Sequence, residues 1–203
     1  MADYYLKGEE KFGPITSRIY SLFASRIHDI LKFYEFVVSD ISSSKAKALL
    51  DIGTGPGEIP IRLARMNRFE VYAVDPSPAM LSIARGNSTG LKRVHFALGS
   101  SRSIPFKIKF DMIISSLSMH HWKEKEESLR YLSKFLSKNG EIRIYEFERE
   151  APKSGPIGAI KGTVVGHHSL SLKEFKHIAY GSGLKVRSVH RANGFIRVTY
   201  AQS

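Results

Sequence analysis

A chain of 203 residues without a single cysteine, carrying a net charge of +12, is long enough for one domain with a substantial core. The missing cysteine excludes disulfides, thiolate metal sites and a cysteine nucleophile. No run of about 18 apolar residues marks a membrane span, and the opening MADYYLKGEEKFG lacks the basic-then-apolar pattern of a secretion signal, so a cytoplasmic protein is expected.

Residues 1–13 read as a polar leader. From Ile15 to Ile41 apolar residues recur at helical spacing, as one long helix or two shorter ones. The segment is aromatic-rich through Tyr20, Phe23, Phe33, Tyr34 and Phe36, and its apolar face is expected to pack on a sheet. After Ser42-Ser43-Ser44, the apolar run Ala46 to Leu50 reads as a buried parallel strand. It leads into Asp51-Ile52-Gly53-Thr54-Gly55-Pro56-Gly57, and a helix is expected over Glu58 to Met66, with Pro60 in its first turn. A strand, a glycine turn and a helix let a ligand approach the backbone closely and meet the helix N-terminus. A plain glycine-rich turn would look the same so far. The dinucleotide fingerprint GxGxxG fails, because the third residue after Gly55 is Glu58. The second strand, Glu70 to Val74, ends in Asp75, where an acid can bind both hydroxyls of a ribose.

Ser77 is the expected N-cap of the next helix, with Pro78 at its first position. That helix is expected to reach about Arg85 and to end at Gly86-Asn87. Strand three is Arg93 to Leu98, followed by Gly99-Ser100-Ser101. Strand four, Phe110 to Ser115, opens into Ser115-Ser116-Leu117-Ser118-Met119-His120-His121-Trp122. Its tip lies beside the point where ligands bind in open parallel sheets. A helix over Lys125 to Leu136 is expected to stop at Asn139-Gly140, before a fifth strand, Glu141 to Phe147, with Glu146 near its end. Ala151 to Val165 is a Gly/Pro-interrupted loop placed to cover a site. Ser171 to Glu174 reads as a capping box opening a helix to about Tyr180. The last strands, Leu184–Arg191 and Phe195–Ala201, meet at Asn193-Gly194, a strong hairpin signal. Residues 151–203 carry eight Lys/Arg against Glu174 alone. Such a basic quarter is either a solvated face or a surface for an anionic partner.

Four stretches taken together carry a resemblance: LLDIGTGPG, VDPSPAML, FDMIISSLSMHHW and the run from Leu129 to Phe147. Over roughly Lys45 to Tyr200 the chain resembles the class I S-adenosylmethionine (SAM)-dependent methyltransferases, notably the small ubiquinone/menaquinone-type enzymes. The resemblance implies an α/β Rossmann-like three-layer sandwich. Its seven-stranded, mostly parallel sheet has the order 3-2-1-4-5-7-6 and an antiparallel C-terminal hairpin. Residues 1–203 would form one domain, with a helical cap over 1–41 and a SAM-binding core over 45–203. The cofactor would be SAM, leaving as S-adenosylhomocysteine (SAH).

The resemblance also assigns residues. Asp51 and the Gly53 backbone would hold the methionine end, with Thr54 in the same loop, and Gly55 and Gly57 would permit close approach. Asp75, followed by Pro76, would take the ribose, and Met80 would lie against the adenine. Ser100, beside Ser101, stands where relatives carry an acid for the adenine amino group, and a hydroxyl accepts that bond more weakly. Ser115 stands where a backbone carbonyl receives the ammonium group, and Tyr20 would look inward from the cap. His120 and Glu146 are the catalytic candidates for an acceptor that must lose a proton.

A small-molecule acceptor is expected. RNA or protein acceptors, and a non-catalytic SAM-binding protein, remain the alternatives. Methylation at carbon 5 of cytosine normally needs the absent cysteine, and the Asn/Asp-Pro-Pro-aromatic turn used on exocyclic amines is replaced by Ser115-Ser116-Leu117-Ser118. The histidine pairs His120-His121 and His167-His168 are adjacent, not spaced i, i+4 on a helix face, so no metal site is expected.

Overall fold

The computed structural model describes residues 28–148 and 170–202. The polar leader, the first part of the N-terminal helical segment with Tyr20, the loop of residues 151–165, and His167 and His168 lie outside them. Helix α1 spans His28–Ser42 and buries Ile30, Phe33, Tyr34, Val37 and Ile41. Those positions recur every three or four residues, so one stripe of the helix is apolar and must be covered.

Strands β1 (Ala48–Ile52), β2 (Glu70–Asp75), β3 (Val94–Leu98), β4 (Phe110–Ser116), β5 (Leu136–Phe147), β6 (Leu184–Ala192) and β7 (Phe195–Gln202) form one sheet. Its order is β3-β2-β1-β4-β5-β7-β6. The pairs from β3 to β5 are parallel, and β7 runs antiparallel to both β5 and β6. Between the strands lie α2 (Glu58–Arg65), α3 (Pro78–Asn87), α4 (Lys125–Ser133) and α5 (Leu172–Ser182). The sheet order and the antiparallel hairpin are as the sequence implies. At the hairpin tip Asn193 and Gly194 take φ of 54° and 80°, the paired left-handed geometry that a two-residue turn between twisted strands requires.

Both faces of the sheet are covered, which explains why its central strands read as continuous apolar runs. Leu49, Val71, Met112, Ile114, Tyr145 and Phe195 pack with α1 and with Ile59 and Leu63 of α2. Leu50, Ile113, Ile142, Ile144, Val198 and Tyr200 face the other way, toward Leu129 and Leu132 of α4 and Phe175 and Ile178 of α5. Alternation along each strand therefore builds two cores with one sheet.

One polar anchor crosses the α1 side. Asp40 accepts from Arg143 at 2.7 Å, from the Tyr145 hydroxyl at 2.7 Å and from Arg197 at 2.5 Å. It thereby ties α1 to β5 and β7 through groups mostly removed from water.

Two local signals hold as written. Ser77 caps α3 by accepting from Met80 N–H at 3.3 Å, with Pro78 following. Ser171 and Glu174 close a reciprocal capping box on α5. One boundary needs correction. The helix expected to reach Leu136 ends at Ser133, and Leu136 already pairs with Phe110. Asn139-Gly140 is not a helix stop but part of an irregularity inside β5, where the register jumps from Phe110↔Leu136 to Met112↔Glu141. A Cβ on Gly140 would lie 2.9 Å from the Phe110 carbonyl. The glycine serves this close strand approach.

Candidate active site

The loop between β1 and α2 is held by backbone bonds before any ligand is considered. Gly53 N–H and Thr54 N–H both donate to the Val74 carbonyl, at 2.9 and 3.1 Å. Gly53 and Gly55 take φ of 73° and 55°, a region where a Cβ would clash with the backbone. The two glycines differ in what surrounds them. A Cβ at Gly53 would lie 2.0 Å from Ser118 Oγ, whereas one at Gly55 meets nothing within 4 Å. Gly53 is therefore pressed against the tip of β4, while Gly55 borders open space. Gly57, grouped with them in the motif, is turned inward against Ala84, Phe96 and Ile61.

That open space is a cleft of about 1000 Å³, counting the part open to solvent. Asp51, Gly53, Thr54, Gly55, Asp75, Pro76, Met80, Ser100 and Ser101 border it, as do Tyr34, Ser116, Leu117, His121 and Trp122. Gly57, Ser115 and the two catalytic candidates His120 and Glu146 are not among its walls. Ser115 is buried one residue before the lining serine, Ser116.

The polar chemistry of this cleft is incomplete within the described residues. Asp51 Oδ1, Thr54 Oγ1 and Ser116 Oγ are buried without a hydrogen-bond partner there. Buried polar atoms are nearly always paired, so three orphans on one cleft mark a place for ligand donors and acceptors. Burial pushes the Asp51 carboxyl up to about 7; the nearby Thr54 hydroxyl pulls it down, short of a well-formed hydrogen bond, and the Asp75 charge pushes it up further.

Asp75 is positioned differently. Its Oδ2 accepts from Gly55 N–H at 2.7 Å and its Oδ1 from Ser77 N–H at 2.8 Å. The carboxylate thus braces the glycine loop, and each oxygen keeps a second lone pair for a ligand. Burial raises its pKa, opposed by those two N–H groups.

The turn after β3 is a small closed unit. Ser100 and Ser103 exchange backbone bonds at 3.0 and 3.1 Å, and Ser100 Oγ accepts from Arg102 N–H at 3.3 Å. Ser101 Oγ shares a 2.9 Å bond with Ser128 of α4. Both serines thus reach the cleft from an ordered turn.

Beyond β4 the backbone departs from ordinary geometry at Leu117, whose φ is 50°. A bulky residue in that region is held there by its surroundings, and Leu117 N–H donates to the Tyr145 carbonyl at 3.0 Å. A short 3-10 turn, Met119–His121, follows. His120 Nδ1 lies 3.1 Å from Glu146 Oε2, and Glu146 is buried on β5. A carboxylate only accepts, so Nδ1 carries the proton and Nε2 is the basic nitrogen. The two residues singled out on separate elements therefore form one pair. His121 lines the cleft itself, with its ring 4.0 Å from that of His120.

Tyr34, Ser116, Leu117, His121 and Trp122 are wall residues that the sequence reading did not assign. Their signal was position: all but Tyr34 belong to the Ser115–Trp122 stretch after strand four, where ligands bind in open parallel sheets.

An open sheet in this order, with a glycine loop after β1 and an acid closing β2, defines the class I methyltransferase architecture. A family model described as "Methyltransferase domain" matches residues 43–180, and the chain belongs to that family. Among curated proteins, it is 32% identical over 133 residues to an uncharacterized methyltransferase of Staphylococcus carnosus, covering 64% of this chain and 62% of that one. It is 24% identical over 152 residues to a ubiquinone/menaquinone biosynthesis C-methyltransferase of Vibrio cholerae, covering 72% and 57%. The chain spans about half to three-fifths of the length of the curated relatives it matches. A SAM-dependent methyltransferase structure from Aquifex aeolicus superposes with a TM-score of 0.72 at 24% identity, covering 94% of this chain and 98% of that one. The O-methyltransferase NcsB1 from neocarzinostatin biosynthesis, solved with SAH and 1,4-dihydroxy-2-naphthoic acid, gives 0.74 at 21% identity, covering 94% and 59%. Likeness at these identities speaks for the fold.

Proposed function

We propose that the chain binds SAM between the β1–α2 loop and the tip of β4 and methylates a small-molecule acceptor. The observation that carries this reading is the set of orphaned buried atoms on Asp51, Thr54 and Ser116 around an open Gly55. An amino-acid portion with an ammonium and a carboxylate matches an acidic acceptor beside two hydroxyls. Asp75 offers its remaining lone pairs to a diol, and Met80 and Pro76 supply apolar surface. When bound, SAM supplies an already activated methyl group, so the protein's contribution is alignment and exclusion of water. Glu146 holds His120 with Nε2 as the basic nitrogen, suited to take a proton from an acceptor hydroxyl or acidic carbon. Tyr34, His121 and Trp122 give the cleft flat faces against which a planar acceptor packs. The naphthoic acid bound in NcsB1, and the ubiquinone/menaquinone biosynthesis for which the Vibrio cholerae relative is named, support the same choice.

A polyanionic acceptor is disfavoured by how the basic strands spend their charge. Arg187, Arg191 and Arg197 each meet a carboxylate, on Glu141, Glu148 and Asp40, at 3.2, 2.6 and 2.5 Å. No helix among the described residues is long and apolar enough to cross a membrane, and we place the reaction in the cytoplasm. Calorimetry with SAM and SAH tests the proposal, with micromolar binding expected. A folded protein that binds neither refutes it. Transfer of labelled methyl from SAM into a cell extract then identifies the acceptor.

A further inference from the structure

The parallel strands β1 to β5 all begin at one end of the sheet, opposite the end that carries the cleft. That end is basic. Exposed Lys45 and Lys47 lead into β1, Lys92 and Arg93 into β3, and Lys107 and Lys109 into β4. Arg68 precedes β2, and Lys134 and Lys138 flank the first residues of β5. Bonds between the strand starts bring these segments together. Glu70 N–H donates to the Lys47 carbonyl at 2.8 Å and Val71 N–H to the Arg93 carbonyl at 3.0 Å. Lys109 Nζ donates to the Lys134 carbonyl at 2.5 Å. With neighbouring strands about 4.8 Å apart, the starts form a basic row about 20 Å long. The carboxylates nearby are spent on other partners. Asp111 accepts from the N–H groups of Lys47 and Ala48 and from the Ser137 hydroxyl. Glu70 meets His95 at 2.6 Å and Arg93 at 3.7 Å, and Asp40 is taken by Arg143, Tyr145 and Arg197. Among the described residues, Lys45, Lys92, Lys107 and Lys138 form no ion pair.

The same row carries apolar groups that charge alone does not explain. Of the three exposed large apolar side chains among the described residues, Met66 and Ile108 stand here, 40% and 38% exposed. Met66 lies between Arg65 and Arg68, and Ile108 between Lys107 and Lys109, so cations frame both. A phosphodiester backbone gains nothing from such groups, and no exposed aromatic of the described residues stands in the row for bases to stack on. An anionic bilayer uses both kinds. Its headgroups attract the lysines, and the acyl boundary accepts the apolar side chains between them. We propose that this end of the sheet docks on an anionic lipid surface and holds the protein there with its cleft turned away from the bilayer. Docking surface and cleft lie at opposite ends, so the lipid is a partner and not the acceptor, and the proposal holds whether or not SAM binds.

Sedimentation of the full chain with vesicles tests it. Vesicles of equal parts phosphatidylglycerol and phosphatidylcholine should carry the protein down, and phosphatidylcholine alone should not. A lysine beside an anionic leaflet contributes roughly fivefold to partition. The variant Lys45→Gln, Lys92→Gln, Lys107→Gln, Lys138→Gln should therefore bind at least about 100-fold more weakly. If that variant fails to fold, Lys107→Gln with Lys138→Gln takes its place, with a loss of about 25-fold expected. Met66→Ser with Ile108→Ser keeps every charge and should weaken binding by about tenfold. Thermal unfolding and SAM calorimetry on the folded variants should match the wild type. A wild type that stays in solution with the anionic vesicles overturns the proposal, as does undiminished binding by a folded lysine variant. Loss of binding with the lysines but none with Met66 and Ile108 replaced overturns the bilayer docking. So does a protein that ignores the vesicles and binds an RNA oligonucleotide through the same lysines, which makes the row a nucleic-acid surface.

Discussion

Replacing Asp51 by asparagine separates what its carboxylate does to the fold from what it does for a ligand. In the folded protein burial raises this carboxyl from 3.8 to about 7. The folded state therefore holds the proton more tightly than the unfolded chain. The sign follows directly: the associated stability is fully present below pH 3.8 and is lost as pH rises through 7. The difference of about 3 pH units corresponds to about 4 kcal/mol of stability forgone above pH 7. Asparagine has the same shape and no charge to bury. Its advantage over the wild type should grow by about 3 kcal/mol between pH 5 and pH 8, equivalent to roughly 6–12 °C in Tm for a chain of this size. Denaturation at the two pH values measures it. The same variant should bind SAM at least about tenfold more weakly, since a charged acceptor is worth about 1.5–3 kcal/mol. Wild-type affinity should also fall about tenfold per pH unit below 7, as the carboxylate takes up a proton. A variant that gains no stability between pH 5 and pH 8 would refute the argument that Asp51 is strained by burial. Affinity independent of pH between 5.5 and 8 would show that this carboxylate does not receive the ligand.

Gly53 and Gly55 should respond differently to a side chain. Gly53→Ala forces its Cβ onto Ser118 Oγ and should lower Tm and displace the β4 tip. Gly55→Val has space in the absence of ligand, so it should lose only about 1–2 kcal/mol to backbone strain while abolishing SAM binding in calorimetry. Asp75→Ala removes the acceptor for Gly55 and Ser77 N–H groups and should weaken SAM by about 1.5–3 kcal/mol. Unchanged affinity would mean that the acid only braces the loop. Asp40→Ala leaves Arg143 and Arg197 without their shared carboxylate and should destabilise by about 3 kcal/mol without altering SAM affinity. Chemical denaturation and calorimetry read the two effects separately.

What was legible in the sequence was local or ordered along the chain. Ser77-Pro78, the Ser171–Glu174 box and Asn193-Gly194 each specify their own geometry within a few residues, so they could be read directly. The sheet order was implied by the family resemblance that the motifs carry, and the structure has that order. Asn139-Gly140 misled because its partner is Phe110, some thirty residues away, and pairing with β4 overrode a pattern that locally resembles a helix end. The cleft walls were partly hidden for a similar reason. Tyr34 shares its helical stripe with several other aromatics, and which ring meets the cleft depends on how α1 crosses the sheet. Ser116 and Ser115 differ by one residue, which on a strand exchanges one face for the other. The dual engagement of Asp75 with Gly55 and Ser77 joins two loops that periodicity treats separately.

The Asp40 anchor has a temporal consequence. Its carboxylate and Arg197 are separated by 157 residues. At roughly 5–20 residues per second during synthesis, Asp40 waits about 8–30 s for that partner. Throughout that interval α1 has its apolar stripe made but lacks the last strand of the surface that receives it. Phe195, against which Phe33 and Phe36 pack at 5.4 and 5.6 Å, arrives with Arg197. The first of the described helices is thus secured near the end of synthesis, and a nascent chain halted before β7 presents an uncovered aromatic face to whatever chaperone or neighbour it meets.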